Sequence, residues 1–256
     1  SVLHFNFIFL IINIFRLKLV IDIGNTLVKV ALFEKKKIIK TISLKSINFE
    51  VIKDFIKNKR VTNTILSSVK DSSKEQLSII NNFNAIELND SVKYPIKINY
   101  NNINDLGKDR LAAIIGAINL YTNKNILILD IGTCLTIDFI NNNEYLGGRI
   151  SPGLDMRYKA LNKFTAKLPL CEKNFKNLKY GNSTLTSIQS GVQRGMIDEI
   201  DTLITEFKQE NKNNIVIGTG GDCFSFEKEL KNSIFADQFL VLRGLNEILD
   251  FNVQSN

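Results

Sequence analysis

Two stretches of the sequence each place a carboxylate, a glycine and short polar side chains directly after an apolar run. Residues 19–33 contain Asp-Ile-Gly-Asn-Thr, and residues 126–139 contain Asp-Ile-Gly-Thr. An alternating run follows each corner, so both stretches are predicted to form a strand, a tight turn and a second strand. A carboxylate that can hold a hydrated cation, amide and hydroxyl groups, and a lysine together suit a polyphosphate and its metal ion. An ordinary hairpin with a polar turn is the alternative for either stretch alone.

The polar residues of the first hairpin crowd one of its ends. The candidate phosphate-binding residues are eight consecutive positions: Asp22, Ile23, Gly24, Asn25, Thr26, Leu27, Val28 and Lys29. Gly24 lets the backbone come close to a ligand. Asp130 and Thr133 occupy the matching corner of the second hairpin, and a third, glycine-rich corner at residues 216–222 follows another apolar strand. Each corner alone is a weak signal, but the three together form a specific constellation.

Asp109 is a further carboxylate that could take part in catalysis, and it lies in the sequence Gly107-Lys108-Asp109-Arg110. Apolar residues at helical spacing follow it, namely Leu111, Ile114, Ile115 and Ile118. Asp109 and Arg110 are therefore predicted in the first turn of a helix, where the helix dipole favours the ionised carboxylate. In that state the carboxylate can accept a proton. The alternative is a surface Asp–Arg pair that caps the helix.

Composition excludes several classes of chemistry. The one histidine, His4, lies in an unusual N-terminal segment, so Ser-His-Asp hydrolysis, Cys-His proteolysis and histidine-ligated zinc are excluded, and acid–base work falls to carboxylates. The cysteines Cys134, Cys171 and Cys223 form no Cys-x-x-Cys motif, which fits a reducing cytoplasm. The net charge of +7 comes mainly from scattered lysines, so we expect no nucleic-acid partner.

Residues 2–15 are almost wholly apolar, and the globular domain would naturally begin near Leu17. The run is short for a bilayer and lacks the positive start and cleavage site of a signal peptide. We expect residues 1–16 to be an extension outside the functional fold, with no membrane association. A membrane anchor is the alternative. Fractionation of the full chain and of a chain starting at Leu17 separates the two, because equal solubility removes the anchor.

Strand-rich starts followed by helices occur twice along the chain. Helices are predicted near residues 49–57, 73–83, 154–164, 185–207 and 245–251. This order predicts an α/β protein with two related halves, residues 17–120 and 121–256, that face a central cleft.

Seven short motifs occur in an order that resembles a known family. They are Asp-x-Gly-Asn-Thr at 22–26, Gly-x-Asp-Arg at 107–110, Asp-x-Gly-Thr-x-x-Thr-x-Asp at 130–138, Gly-Gly-x-Ile-x-Pro-Gly-Leu at 147–154, Thr-Ala-x-Leu-Pro at 165–169, Gly-x-x-Thr at 181–184 and Thr-Gly-Gly-Asp at 219–222. From about Leu17 to its C-terminus, the chain resembles type III pantothenate kinases of the acetate and sugar kinase/Hsp70/actin superfamily. The resemblance implies duplicated actin-like (ribonuclease H-like) halves with mixed sheets flanked by helices.

The resemblance also implies a reaction and its partners: ATP with Mg²⁺ phosphorylates pantothenate, the first step of coenzyme A biosynthesis, in a cytoplasmic homodimer. Residues 22–29 and Thr133 would bind ATP, and Asp130 would bind a monovalent cation, K⁺ or NH₄⁺. The implied pantothenate-binding residues are Tyr100, Gly107, Lys108, Asp109, Arg110 and Thr184, with Asp109 as the general base and Thr184 acting across the dimer interface.

Two positions depart from the family's pattern. Ile103 stands where a proline is usual, which leaves the shape of the loop after Tyr100 open, and Cys134 replaces a small residue such as alanine, with little expected effect. Two alternatives remain at this point: another kinase or phosphatase of the superfamily, and a non-catalytic accessory factor for transcription. Salt-dependent DNA binding would identify the second.

Overall fold

The structure, a computed structural model, describes residues 16–57, 59–89, 91–98, 100–174 and 179–254. Of the expected N-terminal extension only Arg16 lies within these ranges, so that expectation and its membrane-anchor alternative concern residues outside the described part. Within the described part, no helix combines the length and apolar character that crossing a membrane requires.

The first sheet is mixed and has five strands in the order β3-β2-β1-β4-β5. Its strands are β1 (Leu17–Ile23), β2 (Val28–Glu34), β3 (Lys37–Leu44), β4 (Val61–Ser68) and β5 (Ile86–Glu87). Strand β1 runs antiparallel to β2 and parallel to β4. Helices α1 (Phe49–Phe55) and α2 (Lys74–Phe83) join a buried cluster that includes Leu19 and Ile21. Both helices were predicted, and side chains of Asn48 and Ser73 cap their N-termini.

The second sheet repeats this topology in the order β10-β9-β6-β7-β8. Its strands are β6 (Asn125–Ile131), β7 (Cys134–Asn141), β8 (Glu144–Pro152), β9 (Asn214–Thr219) and β10 (Phe235–Ala236). The helices associated with it are α4 (Leu154–Lys163), α5 (Thr184–Glu210) and α6 (Cys223–Glu227). Their apolar sides bury one core with β6, β7 and β9. The predicted fold of duplicated α/β halves with mixed sheets is confirmed.

Two further α-helices are described, α3 (Lys108–Leu120) and α7 (Leu240–Gln254), together with a 3₁₀ turn, Ile103–Asp105. Among the described residues, the chain forms two compact units, each built from separate segments: 16–95, 107–116 and 241–254 in unit 1, and 96–106 and 117–240 in unit 2. A boundary at residue 120 separates the two sheets along the chain. The C-terminal helix nevertheless packs in unit 1, where Asn246 donates to the Lys35 carbonyl and Asp250 pairs with Lys18.

The Lys18–Asp250 pair is expected to contribute to the stability of unit 1. The Lys18 side chain is only 8% exposed, and its ammonium lies 2.6 Å from Asp250 Oδ2. Asp250→Asn leaves a buried ammonium uncompensated, so we expect the free energy of unfolding to fall by about 2 kcal/mol, which is below the full value for a buried pair because Asp250 is partly exposed. Urea denaturation measures this change. Glu50→Gln, which breaks the exposed pair with Lys53, should change it by less than about 0.5 kcal/mol, and equal losses in the two variants would contradict the prediction.

Candidate active site

The first polar corner is a closed hairpin in unit 1. The Gly24 N–H donates to the Leu27 carbonyl (3.1 Å), which makes residues 24–27 the turn between β1 and β2. Asp22 and Lys29 lie directly opposite each other in the register, so both side chains project from the same face of the sheet. Asp22 is buried, Lys29 is half-buried, and Asn25, Thr26 and Leu27 are exposed. A carboxylate and an ammonium therefore stand beside a turn open to solvent.

Not every predicted ATP-binding residue of this hairpin presents its side chain at the corner. Ile23 and Val28 face the buried cluster beneath α1 and α2. They can therefore meet a ligand only through their backbone groups. The side chains available at the corner are Asp22, Lys29 and those of the turn.

Helix α3 places Asp109 in its first turn, as predicted. The Asp109 carboxylate accepts the backbone N–H of Arg110 (2.8 Å), which satisfies one of the free donors at the helix start. Gly107, Lys108 and Asp109 are half-buried, whereas Arg110 is buried. The predicted four-residue motif thus lies at the N-terminus of α3, with three half-buried residues followed by a buried arginine.

Asp22 and α3 belong to the same side of the first sheet. Lys18 and Asp22 share one face of β1 because side chains alternate along a strand, and Lys18 on that face pairs with Asp250 of α7. Helix α7 in turn lies against α3, where Gly244 approaches the carbonyl of Ala112. The candidate phosphate-binding carboxylate and the candidate base are therefore parts of one layered arrangement in unit 1.

The second and third corners, predicted from separate stretches, meet in unit 2. Strand β6 pairs with β9 so that Asp130 lies beside Thr219, and the Asp222 N–H donates to the carbonyl of Ile131 (2.9 Å). Thr133 is exposed at the β6–β7 turn, and Asp130 is half-buried. Gly153 also lies against the β6–β7 turn, because its N–H donates to the Thr133 carbonyl (3.2 Å).

Gly220 is the residue that allows the two corners to approach. Its φ is +94°, a backbone conformation that residues other than glycine rarely adopt. A Cβ at this position would lie 2.4 Å from the Ile131 carbonyl oxygen and 2.5 Å from Asp130 Oδ1. The third corner therefore depends on glycine at this position.

We expect Gly220→Ala to lower the free energy of unfolding of unit 2 by about 1–3 kcal/mol and to displace the Asp130 carboxylate, since the added methyl meets fixed backbone atoms. Thermal unfolding and ATP binding measure the two effects. Gly221→Ala is the matched control, because a Cβ there meets no atom within 4 Å. Equal behaviour of the two variants would show that the close approach is not required.

Lys173 belongs to this region, although no sequence pattern indicated it. Its ammonium lies 2.8 Å from both Asp222 carboxylate oxygens and 3.3 Å from Asp155. Burial on its own would lower the pKa of Lys173, but the hydrogen bond and charge of Asp222, together with Asp155, raise it above the usual value. Lys173 therefore stays protonated and fixes the carboxylate that ends the third corner.

Cys223, next to Asp222, is not a nucleophile. Burial, with smaller contributions from the charges of Glu227 and Asp130, raises the pKa of the Cys223 thiol to about 12. The thiol is therefore protonated at neutral pH, and its role is to pack in the core.

The remaining predicted substrate contacts, Tyr100 and Thr184, lie in unit 2. Tyr100 is 37% exposed and precedes a 3₁₀ turn, Ile103–Asp105, whose start is capped by the Asn102 side chain. The loop with Ile103 in place of the family's proline is thus shaped by this capped turn. Thr184 is the first residue of α5, after a capping box formed by Ser183 and Thr186.

A groove of about 930 Å³ runs between α4 and α5 and includes Thr184 in its wall. The wall is mostly apolar and includes Ala160, Leu161, Phe164, Ile188 and Val192. Phe164, one of these wall residues, is 78% exposed. The groove thus places a mostly apolar wall beside a predicted substrate residue, Thr184.

The described residues offer single carboxylates, rather than a cluster of ligands, to a metal ion. Among the described residues, no three histidine, cysteine, aspartate or glutamate side chains cluster as a metal-binding group. Asp22 and Asp130 instead offer single carboxylates at separate corners. Mg²⁺ is commonly held in this way, by one or two carboxylates plus substrate phosphates and water.

Comparison with known proteins agrees with this geometry. In solved structures, a Campylobacter jejuni protein named for the Baf family of transcriptional activators has a TM-score of 0.59 and 24% identity, over 92% of this chain and 99% of that one. A Listeria monocytogenes protein named as an N-acetylmannosamine kinase has a TM-score of 0.54 and 15% identity, over 94% and 100%. These identities show the fold alone. The two mixed sheets with their flanking helices thereby show the predicted actin-like fold.

Sequence similarity narrows the class. Residues 18–206 match the sequence profile of type III pantothenate kinases. The type III pantothenate kinase of Phocaeicola vulgatus is 40% identical over 240 residues, which are 92% of this chain and 99% of that protein, and other relatives carry the same name. The chain belongs to the type III pantothenate kinase family.

Proposed function

We propose that the chain transfers the γ-phosphoryl group of ATP to the primary hydroxyl of pantothenate. The product is 4'-phosphopantothenate, the first intermediate of coenzyme A biosynthesis. Family membership along nearly the whole chain supports the reaction. The structural observation that carries the proposal is the position of Asp109, in the first turn of α3 and on the side of the first sheet that Asp22 shares.

Phosphoryl transfer requires neutralised phosphate charge and an aligned nucleophile more than covalent help from the protein. Lys29 supplies a positive charge, and the turn at residues 24–27 supplies backbone N–H groups and the hydroxyl of Thr26. In our proposal these groups bind the ATP phosphates together with Thr133. Backbone N–H groups at a tight turn suit phosphate oxygens because they donate without a side chain.

Asp109 is the proposed general base. An ionised carboxylate at a helix N-terminus can accept the proton of the pantothenate hydroxyl as its oxygen attacks phosphorus. Arg110, Lys108 and Gly107 form the adjoining binding surface, and a buried arginine offers planar donors to a carboxylate or hydroxyl. Tyr100 and Thr184 are the proposed further contacts to pantothenate.

Two cations complete the proposal. Asp22 would hold Mg²⁺ together with the ATP phosphates, and Asp130 would hold a monovalent cation, K⁺ or NH₄⁺. Mg²⁺, when bound, neutralises the phosphate oxygens. Asp130 is half-buried, and its Oδ1 and the Ile131 carbonyl oxygen would lie 2.5 Å and 2.4 Å from a Cβ at Gly220, so both oxygens stand at one corner. Carbonyl and carboxylate oxygens are ligands that hard cations prefer.

ADP release from ATP and Mg²⁺ tests the reaction, with and without pantothenate, in potassium and in sodium buffer. Release that requires both pantothenate and potassium is expected. Release without pantothenate would identify another acceptor or an ATPase, and release that is equal in sodium would remove the monovalent-cation role of Asp130.

We also propose that a second copy of the chain covers the α4–α5 groove. The apolar wall with the exposed Phe164 is unfavourable in water, and Thr184 in the same wall would then contact pantothenate at the subunit boundary. A symmetric dimer is the simplest way for one chain to bury such a face.

Phe164→Glu should shift the protein from dimer to monomer and raise the KM for pantothenate, since a charge cannot be buried unpaired in an apolar interface. Light scattering after size-exclusion chromatography gives the mass. Leu77→Glu is the control, a comparable substitution at a half-exposed position on α2 of unit 1. Dimers of unchanged stability in the Phe164 variant would contradict the proposed interface.

A further inference from the structure

A buried tyrosine–carboxylate pair lies in the second sheet, outside the residues assigned so far. The Tyr145 hydroxyl donates to Asp138 Oδ1 at 2.8 Å, and both residues are about 1% exposed or less. The pair joins neighbouring strands β7 and β8. A carboxylate buried to this degree is costly without strong hydrogen bonds, so the pair has a fixed geometry.

Tyr145 also contacts the segment that carries Tyr100. The centroids of the two rings are 6.0 Å apart with planes inclined at 36°, a tilted aromatic pair. The backbone of Ile98, two residues before Tyr100, forms a parallel bridge with Tyr145. One buried residue thus holds this segment through its backbone and through its ring.

The two tyrosines differ sharply in environment. Tyr145 is fully buried, whereas Tyr100 is 37% exposed on an irregular segment. An exposed aromatic ring on a loop has several side-chain rotamers available. The ring of Tyr145, whose hydroxyl is fixed by Asp138, gives Tyr100 a rigid surface that favours one of them.

We propose that Tyr145, anchored by Asp138, is a positioning residue that orients Tyr100 for the acceptor substrate. The inference rests on the proposed function, in which Tyr100 contacts pantothenate. Tyr145 and Asp138 touch neither substrate in this proposal, and they act by ordering the ring that does. Their loss should therefore change recognition of the acceptor and leave ATP unaffected.

Tyr145→Leu removes the ring, and Tyr145→Phe removes only the hydroxyl. We expect Tyr145→Leu to raise the KM for pantothenate about two- to tenfold, the range that one aromatic contact supports. The KM for ATP and kcat should stay within about twofold. Tyr145→Phe should give a smaller rise in the same constant. In a Tyr100→Ala background, Tyr145→Leu should have no further effect on it.

A readout independent of turnover is nitration of Tyr100 by tetranitromethane, followed by mass spectrometry. Tyr180, 78% exposed, is the internal reference. Tyr100 should be nitrated faster in Tyr145→Leu than in the wild type, and pantothenate should protect it in the wild type. Tyr158→Phe is the matched control, because that buried hydroxyl also donates to a side chain, Gln193 Oε1, at 2.8 Å.

The outcomes separate this inference from the proposed function. Pantothenate-dependent release in the wild type, with unchanged pantothenate KM and Tyr100 nitration in both Tyr145 variants, would overturn the inference alone. Equal rises in the KM for both substrates, or the same changes in Tyr158→Phe, would indicate general loss of structure and also overturn it. If the wild type releases no ADP in response to pantothenate, the proposed function is overturned, and with it the assignment of pantothenate as the substrate that Tyr100 contacts. If Tyr145→Leu does not fold, Tyr145→Phe tests the inference: a rise in its KM for pantothenate supports the positioning role, and an unchanged KM overturns it.

Discussion

Asp109→Asn is expected to lower the turnover of pantothenate phosphorylation by a factor of about 10² to 10⁴, the usual contribution of a general base. The substitution is nearly isosteric, and the amide oxygen of asparagine can still accept the Arg110 N–H, so the first turn of α3 should persist. An amide cannot take the proton of the pantothenate hydroxyl. Binding of ATP should be unchanged, because Asp109 lies in the acceptor motif.

Single-turnover kinetics and calorimetric ATP binding together test this expectation. Asp105→Asn is the matched control: it removes an exposed carboxylate four positions earlier, at the end of the 3₁₀ turn. That variant should keep the turnover of the wild type within about twofold. Turnover at the wild-type level in Asp109→Asn would exclude Asp109 as the base, and equal losses in both variants would point to disturbance of the loop.

Local sequence patterns predicted those parts of the site in which the reactive side chain and the element that carries it lie within one short stretch of sequence. Apolar spacing after Gly107 predicted helix α3 and, with it, the place of Asp109 in the first turn. Alternation around Asp22 and Asp130 predicted both hairpins, because a period of two is readable over a few residues. The substrate and cation assignments within these elements stay predictions.

Contacts between distant residues could not be predicted in this way. Lys173 and Asp222 are 49 residues apart, and no spacing rule connects them. The packing of α7 in unit 1 depends on Lys18 and Asp250, at opposite ends of the chain. Helix α7 also begins at Leu240, before the predicted start at 245, because Asp237 accepts the N–H groups of Phe239 and Leu240 at its N-terminus.

The support of Tyr100 illustrates the same limit. The motif at residues 130–138 contains Asp138, but its hydroxyl partner and the ring beneath Tyr100 are both supplied by Tyr145, on the next strand. The strand Glu144–Pro152 that carries Tyr145 was not predicted, and sequence alone cannot show which loop the Tyr145 ring meets. Positioning residues of this kind become visible only when side chains from separate segments are placed together.

Asp22→Asn is expected to weaken the binding of Mg²⁺-ATP by about 100-fold or more, while binding of ATP without Mg²⁺ changes little. Substitutions of groups that merely support a metal ligand typically cost about 10–100-fold in affinity or activity, so a direct ligand should cost at least as much. The buried Asp22 also faces Lys29 across the hairpin, and loss of its negative charge leaves that ammonium freer to attract phosphate. The expected defect is therefore specific to the metal complex.

Titration calorimetry with ATP, in Mg²⁺ and in a chelator, measures both affinities without turnover. Velocity as a function of Mg²⁺ concentration, at fixed ATP, gives an independent reading. Asp54→Asn removes an exposed carboxylate from α1 of the same unit and controls for the change in net charge. If Asp22→Asn retains both the Mg²⁺-ATP affinity and the Mg²⁺ dependence of the wild type, the carboxylate does not hold the metal. Its burial beside Lys29 then serves the structure of the hairpin, and the cation must be held by the phosphates and water alone.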